Sequence, residues 1–275
     1  MEPKPTKGLK RNTVDKFYTK NTVVDLCLTF INQNIQIEPD DLIIEPSAGN
    51  GAFINNIKKM SNHYVFYDLE PENTEIVKQD YLTIDYTTYK KQFPKIHIIG
   101  NPPFGRQSSS AIKFIKKSCE FCDSISFILP KSFKKDSLKK TFPLRFHLVF
   151  EMDLPEKSFF VEGVEYNVES IFQIWEKKEV DRPGIEKLEP LQFMFVNKSN
   201  CHDISFRRVG VNAGAIDINT AKKNSQSHYF IKFTNNKSVT DNIQILQHIQ
   251  FNHNNTVGPR SISKQELIQQ FNLLL

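Results

Sequence analysis

The 275-residue chain has little cysteine, and its spacing argues against a metal or disulfide framework. Cys119 and Cys122 form one CxxC without a second pair, while Cys27 and Cys201 stand alone. A closed zinc site needs further ligands at fixed spacing. Core or surface thiols in a reducing compartment are therefore expected. The seven histidines are scattered, with no HxH or HxxxH pair. No metal is expected, and a metal-dependent hydrolase fits poorly. No apolar run approaches the ~20 residues needed to span a bilayer, so no membrane segment is expected. The stretch 1–11 is basic and holds proline, but no apolar segment follows it. It does not read as a secretory signal. A disordered leader over 1–13 and an intracellular setting, cytoplasmic or nuclear, are the expectation. Charge of one sign is also scarce: the net value of +5 modestly favours a polyanionic partner and decides nothing alone. No internal repeat is found.

What is present reads as an α/β chain. Apolar spacing predicts an amphipathic helix over Val23–Asn34 with Thr22 as its N-cap. Leu42–Glu45 reads as a buried strand running into the glycine turn Pro46-Ser47-Ala48-Gly49-Asn50-Gly51, and Ala52–Met60 reads as a helix. Strand, glycine turn and helix make the layout of a nucleotide-binding βα unit. Ile54 stands where the third glycine of GxGxxG belongs, so a dinucleotide pyrophosphate is not the expected ligand. A ligand with an amino-acid tail and no phosphates fits better, and Glu45 at the strand tip suits its ammonium group.

His63–Asp68 is the next predicted strand. Asp68 falls 19 residues after Gly49, close to the ~20 at which an acid meets ribose hydroxyls in such folds. Ile76–Asp80 is a shorter strand candidate, whose terminal acid suits an exocyclic amine of a purine. Ile96–Gly100 is another apolar run. Three acids and the segment after Gly100 thus share the carboxyl ends of predicted strands, the edge where open α/β sheets bind ligands.

That segment is Asn101-Pro102-Pro103-Phe104-Gly105. Two prolines forbid a central strand and stiffen the backbone at the sheet's mouth. Asn101 brings a carbonyl acceptor and an amide donor, and Pro102 brings a main-chain carbonyl. Phe104 brings a ring face, and Gly105 permits close approach. The set suits an amino group on a planar ring. Two oxygens accept its hydrogens and turn the nitrogen lone pair out of conjugation.

Beyond it, Ser108–Ser110 are predicted to cap a helix over Ala111–Glu120, and Ser124–Leu129 reads as a strand. A helix starting at Pro130 would turn Leu138 and Phe142 inward. Its lysines Lys131, Lys134, Lys135, Lys139 and Lys140 read either as a solvated face or as phosphate contacts. Phe146–Met152 and Val168–Trp175 read as strands, with a loop over Asp153–Glu165 that holds Phe159, Phe160 and Gly163. Pro183-Gly184 is the best boundary signal. The expected domains are 14–178 and a small α+β C-terminal extension over 185–275, with strands at Gln192–Val196, Asp203–Val209 and His228–Phe233 and helices at Val239–Gln250 and Ser263–Leu274.

Phe17-Tyr18-Thr19, Glu45-Pro46-Ser47-Ala48-Gly49-Asn50-Gly51, Asp68, Asp80 and Asn101-Pro102-Pro103-Phe104 together resemble the amino-methyltransferases that use S-adenosylmethionine, specifically adenine-N6 methyltransferases acting on nucleic acid. The likeness covers roughly residues 14 to 177. It implies a Rossmann-like class I methyltransferase fold, an open twisted and mostly parallel sheet flanked by helices. It implies S-adenosylmethionine as cofactor, with Phe17, Tyr18 and Thr19 at its methionine end. Glu45, Gly49 and Gly51 would hold its amino-acid portion, Asp68 its ribose and Asp80 its adenine amine, with Ser47, Phe53, Tyr81 and Asn101 also among the cofactor-binding residues. Asn101 and Pro102, stiffened by Pro103, would hold the target amine, and Phe104 would stack on the target base. Phe159 or Phe160 would form the opposite wall or pack in the core. Arg106, Lys131, Lys134 and Lys135 would track a nucleic-acid backbone, and 185–275 becomes the candidate recognition region. DNA is favoured as substrate. RNA, a glutamine side chain of a protein, and a silent binding subunit remain the alternatives.

Overall fold

The computed structural model describes residues 16–184, 186–249, 251 and 260–275. The expected leader over 1–13 lies outside them. The chain divides into two compact units, one ending at Pro183 and one starting at Gly184.

The first unit runs β1 (Tyr18–Thr19), α1 (Asn21–Asn34), β2 (Leu42–Glu45), α2 (Ile54–Ile57), β3 (His63–Asp68), β4 (Val77–Lys78), α3 (Thr87–Gln92), β5 (Ile96–Gly100), α4 (Ser109–Cys119), β6 (Ser124–Pro130), α5 (Asp136–Lys139), β7 (Phe146–Asp153), β8 (Phe159–Val161), β9 (Val164–Tyr166) and β10 (Ser170–Lys177). A seven-stranded sheet has the order β4-β3-β2-β5-β6-β10-β7. Pairings from β4 through β6 are parallel, and β10 is antiparallel to both β6 and β7. This is the open, mostly parallel, Rossmann-like sheet expected from the sequence.

The inner strands are apolar on both faces because helices cover both. Leu42 and Ile44 of β2, Ile96 and Ile98 of β5, and Ile125 of β6 pack with Ala111, Phe114 and Ile115 of α4 in one core. Ile43, Ile99 and Ile128 point the other way, into a core with Val24, Cys27, Leu28 and Ile31 of α1. The alternation is that of a strand, period two, and in β5 and β6 the buried polar His97, Ser124 and Ser126 stand between the apolar residues of one face.

The chain leaves β2 toward β3 and β4, then returns to β5 on the opposite side of β2. The winding direction therefore reverses between β2 and β5. In open α/β sheets the crevice beyond the strand ends at such a reversal is the ligand site. The residues there are Glu45, which ends β2, and Asn101, which follows β5.

Several local expectations are corrected. Lys20, not Thr22, caps α1, and no side chain bonds to the helix start. The helix expected over Ala52–Met60 shrinks to the single turn of α2. Ser108 precedes α4 in a left-handed conformation without a side-chain cap. The helix after Pro130 is a 3-10 turn over Lys131–Lys134 followed by the four-residue α5, although Phe142 is buried as expected. The loop expected over Asp153–Glu165 contains a hairpin. β8 and β9 pair through Glu162-Gly163, both left-handed, and β8 pairs with β1 to make a three-stranded sheet of its own.

The second unit holds β11 (Phe193–Val196), β12 (Ile204–Arg207), β13 (Ile216–Asp217), β14 (His228–Phe233), α6 (Val239–Leu246) and α7 (Lys264–Leu274). Its antiparallel sheet has the order β11-β14-β12-β13. Phe193, Phe206, Ile231 and Phe233 pack with Leu246 of α6 and with Leu267, Ile268 and Phe271 of α7. Ser263 and Glu266 form a reciprocal capping box at the start of α7. Among the described residues no helix is long and apolar enough to cross a membrane, and no group of three or more His, Cys, Asp or Glu is placed to hold a metal ion.

Candidate active site at the winding reversal

Glu45 is only 2% exposed, and its Oε2 has no hydrogen-bond partner. Burial, with the charge of Asp68 second, pushes its carboxyl up to about 8. A buried acid with an unanswered oxygen is costly unless a cation or donor arrives from outside. Gly100 lies against it: a Cβ there would come within 3.2 Å of the Glu45 Cγ. A side chain at the glycine ending β5 would therefore crowd Glu45, at the positive φ of +154 that glycine holds there.

Asp68 reaches back from the tip of β3. Its Oδ2 accepts the Gly49 N–H at 2.8 Å, and its Oδ1 accepts the Glu70 N–H at 2.8 Å. Each carboxylate oxygen keeps a second acceptor direction. Gly49 itself has φ +54, a conformation that side chains rarely adopt, and the Tyr18 ring lies 3.6 Å from where its Cβ would be. The Tyr18 hydroxyl donates to Glu72, which also pairs with Lys16. Loss of water around Tyr18, and then this bond, raise its phenol above the ordinary value.

Asn101 carries the least expected geometry. Its Nδ2 donates to the Phe17 carbonyl at 3.0 Å and to Thr19 Oγ1 at 3.2 Å. Its main-chain oxygen accepts from Ser47 Oγ at 3.1 Å. Its Oδ1 is buried and has no partner. A main-chain carbonyl only accepts, so the amide nitrogen must face Phe17 and the orphan oxygen must face away.

Around these groups lies an aromatic cluster. The Phe17 ring meets Phe104 at 6.0 Å, Phe159 at 6.0 Å and Tyr166 at 5.8 Å between centroids. Phe104, expected to offer an open face, is 7% exposed and covered by Phe17. Phe159 is wholly buried, whereas Phe160 is 37% and Tyr166 45% exposed. A cleft of about 910 Å³ opens beside the glycine turn, walled by Thr19, Lys20, Asn50, Gly51, Asn73 and Phe160 among others.

The structure therefore joins Phe17, Tyr18, Thr19, Glu45, Ser47, Gly49, Asp68, Asn101 and Phe104 into one contiguous set. Tyr81 is not in it: its ring stacks on Phe114, its hydroxyl meets Ser118 at 2.7 Å, and it is enclosed in the core. Phe53 is likewise a core residue beside α2, where its ring packs with the apolar face of α1. Asp80 caps a 3-10 turn by accepting the Leu82 N–H at 2.9 Å. Gly51 lines the cleft. Arg106 is exposed next to the Asn101 segment. Of the lysines, Lys131 and Lys134 pair with Asp153 at 3.9 and 2.6 Å, and Lys139 pairs with Glu151 at 3.0 Å. Their charges are matched by acids of β7, which sequence spacing does not reveal. Lys135 immediately precedes α5.

The residues missed in sequence are Lys20, Asn73 and the hairpin. Lys20 and Asn73 carry no motif. The hairpin did carry a signal: Phe159-Phe160-Val161 and Val164-Glu165-Tyr166 are β-prone runs separated by two residues that include a glycine.

No family model matches this chain, and no curated protein matches it. It is similar to several solved structures. A Listeria monocytogenes protein assigned to the class I S-adenosylmethionine-dependent methyltransferases aligns at 15% identity and a TM-score of 0.47, over 62% of this chain and 65% of that one. The 23S rRNA methyltransferase ErmE aligns at 15% identity and 0.43, over 61% and 72%. The methyltransferase subunit of a type I restriction-modification system from Streptococcus thermophilus aligns at 15% and 0.45, over 60% and 47%. This chain thus spans less than two thirds of the length of the Listeria protein.

Proposed function

We propose that the protein is an S-adenosylmethionine-dependent methyltransferase acting on the exocyclic N6 amine of adenine in nucleic acid, with DNA favoured. The observation that carries this reading is the unpartnered, buried Oδ1 of Asn101, held by an amide whose nitrogen is already committed. A site that spends free energy on an orphan acceptor at a winding reversal has an acceptor ready for an incoming donor.

The residues at the β2 and β3 ends fit the cofactor. The orphan oxygen of buried Glu45 suits an ammonium group, the bare backbone at Gly49 admits close approach, and Asp68 retains acceptor capacity for vicinal hydroxyls. S-adenosylmethionine, when bound, supplies a methyl carbon activated by its sulfonium. The protein's part is mainly alignment. Asn101 Oδ1 and the Pro102 carbonyl accept the two amine hydrogens, which frees the nitrogen lone pair. The amine proton then leaves to solvent, and no strong base is required. Proline on both sides of the Pro102 carbonyl limits its movement.

In a duplex the amine is out of reach, so the base must leave the stack to reach Asn101, and the exposed Tyr166 ring, stacked on Phe17, is the aromatic face open to it. Ten of the 36 basic and six of the 31 acidic side chains fall at 184–275, so the second unit carries +4 of the net +5. There Arg208 lies over Tyr229 at 5.2 Å, and Lys264 lies over Phe195 at 4.6 Å. Positive charge interleaved with rings suits a nucleic-acid strand, and we assign backbone recognition to this unit.

The test is incubation with radiolabelled S-adenosylmethionine and separate DNA, RNA and protein pools, followed by nucleoside analysis. Label in N6-methyladenine of DNA is the expected result. Label in RNA moves the substrate, label in glutamine replaces the reading with protein modification, and no label in any pool overturns it.

A further inference from the structure

The resemblance gives Thr19 a place against the cofactor, yet its hydroxyl in this structure is engaged elsewhere. Thr19 is 7% exposed, and its Oγ1 takes the Asn101 Nδ2 at 3.2 Å. The second acceptor for that nitrogen, the Phe17 carbonyl at 3.0 Å, belongs to the same short segment. Both acceptors for the Asn101 amide therefore come from β1 and the residue before it, and neither comes from the seven-stranded sheet.

β1 is in turn held from outside that sheet. Tyr18 pairs with Phe160 and Thr19 with Phe159 in the β1–β8 ladder, and the Lys20 N–H donates to the Ser158 carbonyl at 3.1 Å. Phe17 is gripped by the rings of Phe104, Phe159 and Tyr166. The Ser47 hydroxyl meets only the main chain of Asn101, at 3.1 Å, so it fixes the backbone and leaves the amide free to rotate. Rotation of the amide by half a turn would set Oδ1 against the Phe17 carbonyl, two acceptors face to face. It would also require the Thr19 hydroxyl to donate. The Phe17 carbonyl thus selects one of the two amide orientations, and the Thr19 hydroxyl, which can accept or donate, adds a bond that holds the selected one.

We infer that Thr19 is a positioning residue: its hydroxyl, with the Phe17 carbonyl, locks the Asn101 amide so that Oδ1 faces the target amine, and the β8–β9 hairpin holds that lock in place. This rests on the methyl-transfer reading for the identity of the amine. The orientation itself stands on the structure alone. The inference assigns Thr19 to the nucleophile side of the site and not to the cofactor wall, a difference that can be measured.

The test uses the full-length chain and the variants Thr19→Val and Thr19→Ser, with selective ¹⁵N labelling of asparagine. The Asn101 side-chain NH₂ pair is assigned by its disappearance in Asn101→Asp. In the wild type this pair is expected to exchange slowly with solvent. Thr19→Val should speed that exchange by about tenfold, the loss of one neutral hydrogen bond, and Thr19→Ser should restore protection. In methyl transfer, Thr19→Val should lower kcat by about the same factor while the Kd for S-adenosylmethionine stays unchanged. An unchanged NH₂ pair in folded Thr19→Val overturns the inference whatever the activity. A raised cofactor Kd with kcat intact also overturns it and returns Thr19 to the cofactor wall. If no pool is methylated by the wild type, the methyl-transfer reading fails while the exchange measurement still decides the role of Thr19.

Discussion

At the residue scale the site is built from unanswered polar atoms. Glu45 illustrates the energetic side. Its carboxyl sits near 4.5 when unfolded and about 8 when folded. Between those values the folded chain keeps a proton that the unfolded chain has released, so stability falls as pH rises through that window and levels off above it. The penalty at pH 8 is on the order of a few kcal/mol. Glu45→Gln should therefore raise the Tm at pH 8, flatten its fall between pH 5 and pH 8 (the window just named), and weaken S-adenosylmethionine binding. Melting curves of both proteins across that range, with cofactor titrations beside them, check the trade. Parallel pH profiles would show that the acid is solvated after all. Glu45 and Asn101 were legible in sequence because each follows an apolar run that could only be an inner strand. The partners of their atoms were not legible. The Asn101 amide meets residues 84 and 82 positions away, and no local spacing encodes such a contact. Tyr81 failed for a related reason: adjacency to Asp80 says nothing about which way a ring turns, and this one turns into the core with Phe114.

At the scale of elements, the hairpin of β8 and β9 is the support for β1. Its turn residues Glu162 and Gly163 have φ of 50 and 78, the pair of left-handed conformations that suits a two-residue hairpin. Gly163→Val should strain this turn by about 1–2 kcal/mol. Amides of Phe160 and Thr19 should then exchange faster while those of β5 do not, a pattern readable by native-state hydrogen exchange. Uniform loosening of both sheets would argue that the hairpin is not a separate support. The strands β2, β5 and β6 were legible because parallel strands buried on both faces read as short runs rich in Ile, Leu and Phe, while β3, exposed at His63 and Tyr64, was legible from its β-branched and aromatic residues. The hairpin is hard to read because Phe159-Phe160-Val161 does not alternate and its strands are only three residues each. The helix after Pro130 was overextended since lysine and leucine spacing there imitates an amphipathic face. The chain instead spends those lysines on β7 acids.

For the whole molecule, two features set its limits. Arg182 closes the end of the first unit by donating to the carbonyls of Lys139, Phe142, Pro143 and Phe146, with its guanidinium 5.2 Å from the Trp175 ring. A lysine lacks the planar fork, so Arg182→Lys should cost about 2–3 kcal/mol in denaturant unfolding of this unit. A loss within 0.5 kcal/mol, roughly the scatter of surface substitutions, would mean that the carbonyls are served equally by water. The second feature is the concentration of net charge in the second unit. With Arg208→Gln and Lys264→Gln together, affinity for oligonucleotides should fall alike for all sequences, and the salt slope should drop by about 2. Fluorescence anisotropy at several salt concentrations measures both. Composition alone showed only the small total of +5, because a near-neutral first unit dilutes the asymmetry.

The most direct measurement is single-turnover methyl transfer by Asn101→Ala beside calorimetric titration with S-adenosylmethionine. Removing the orphan acceptor should cut transfer by about 10²–10³ while cofactor affinity is kept. Transfer at the wild-type rate would contradict the account at its root.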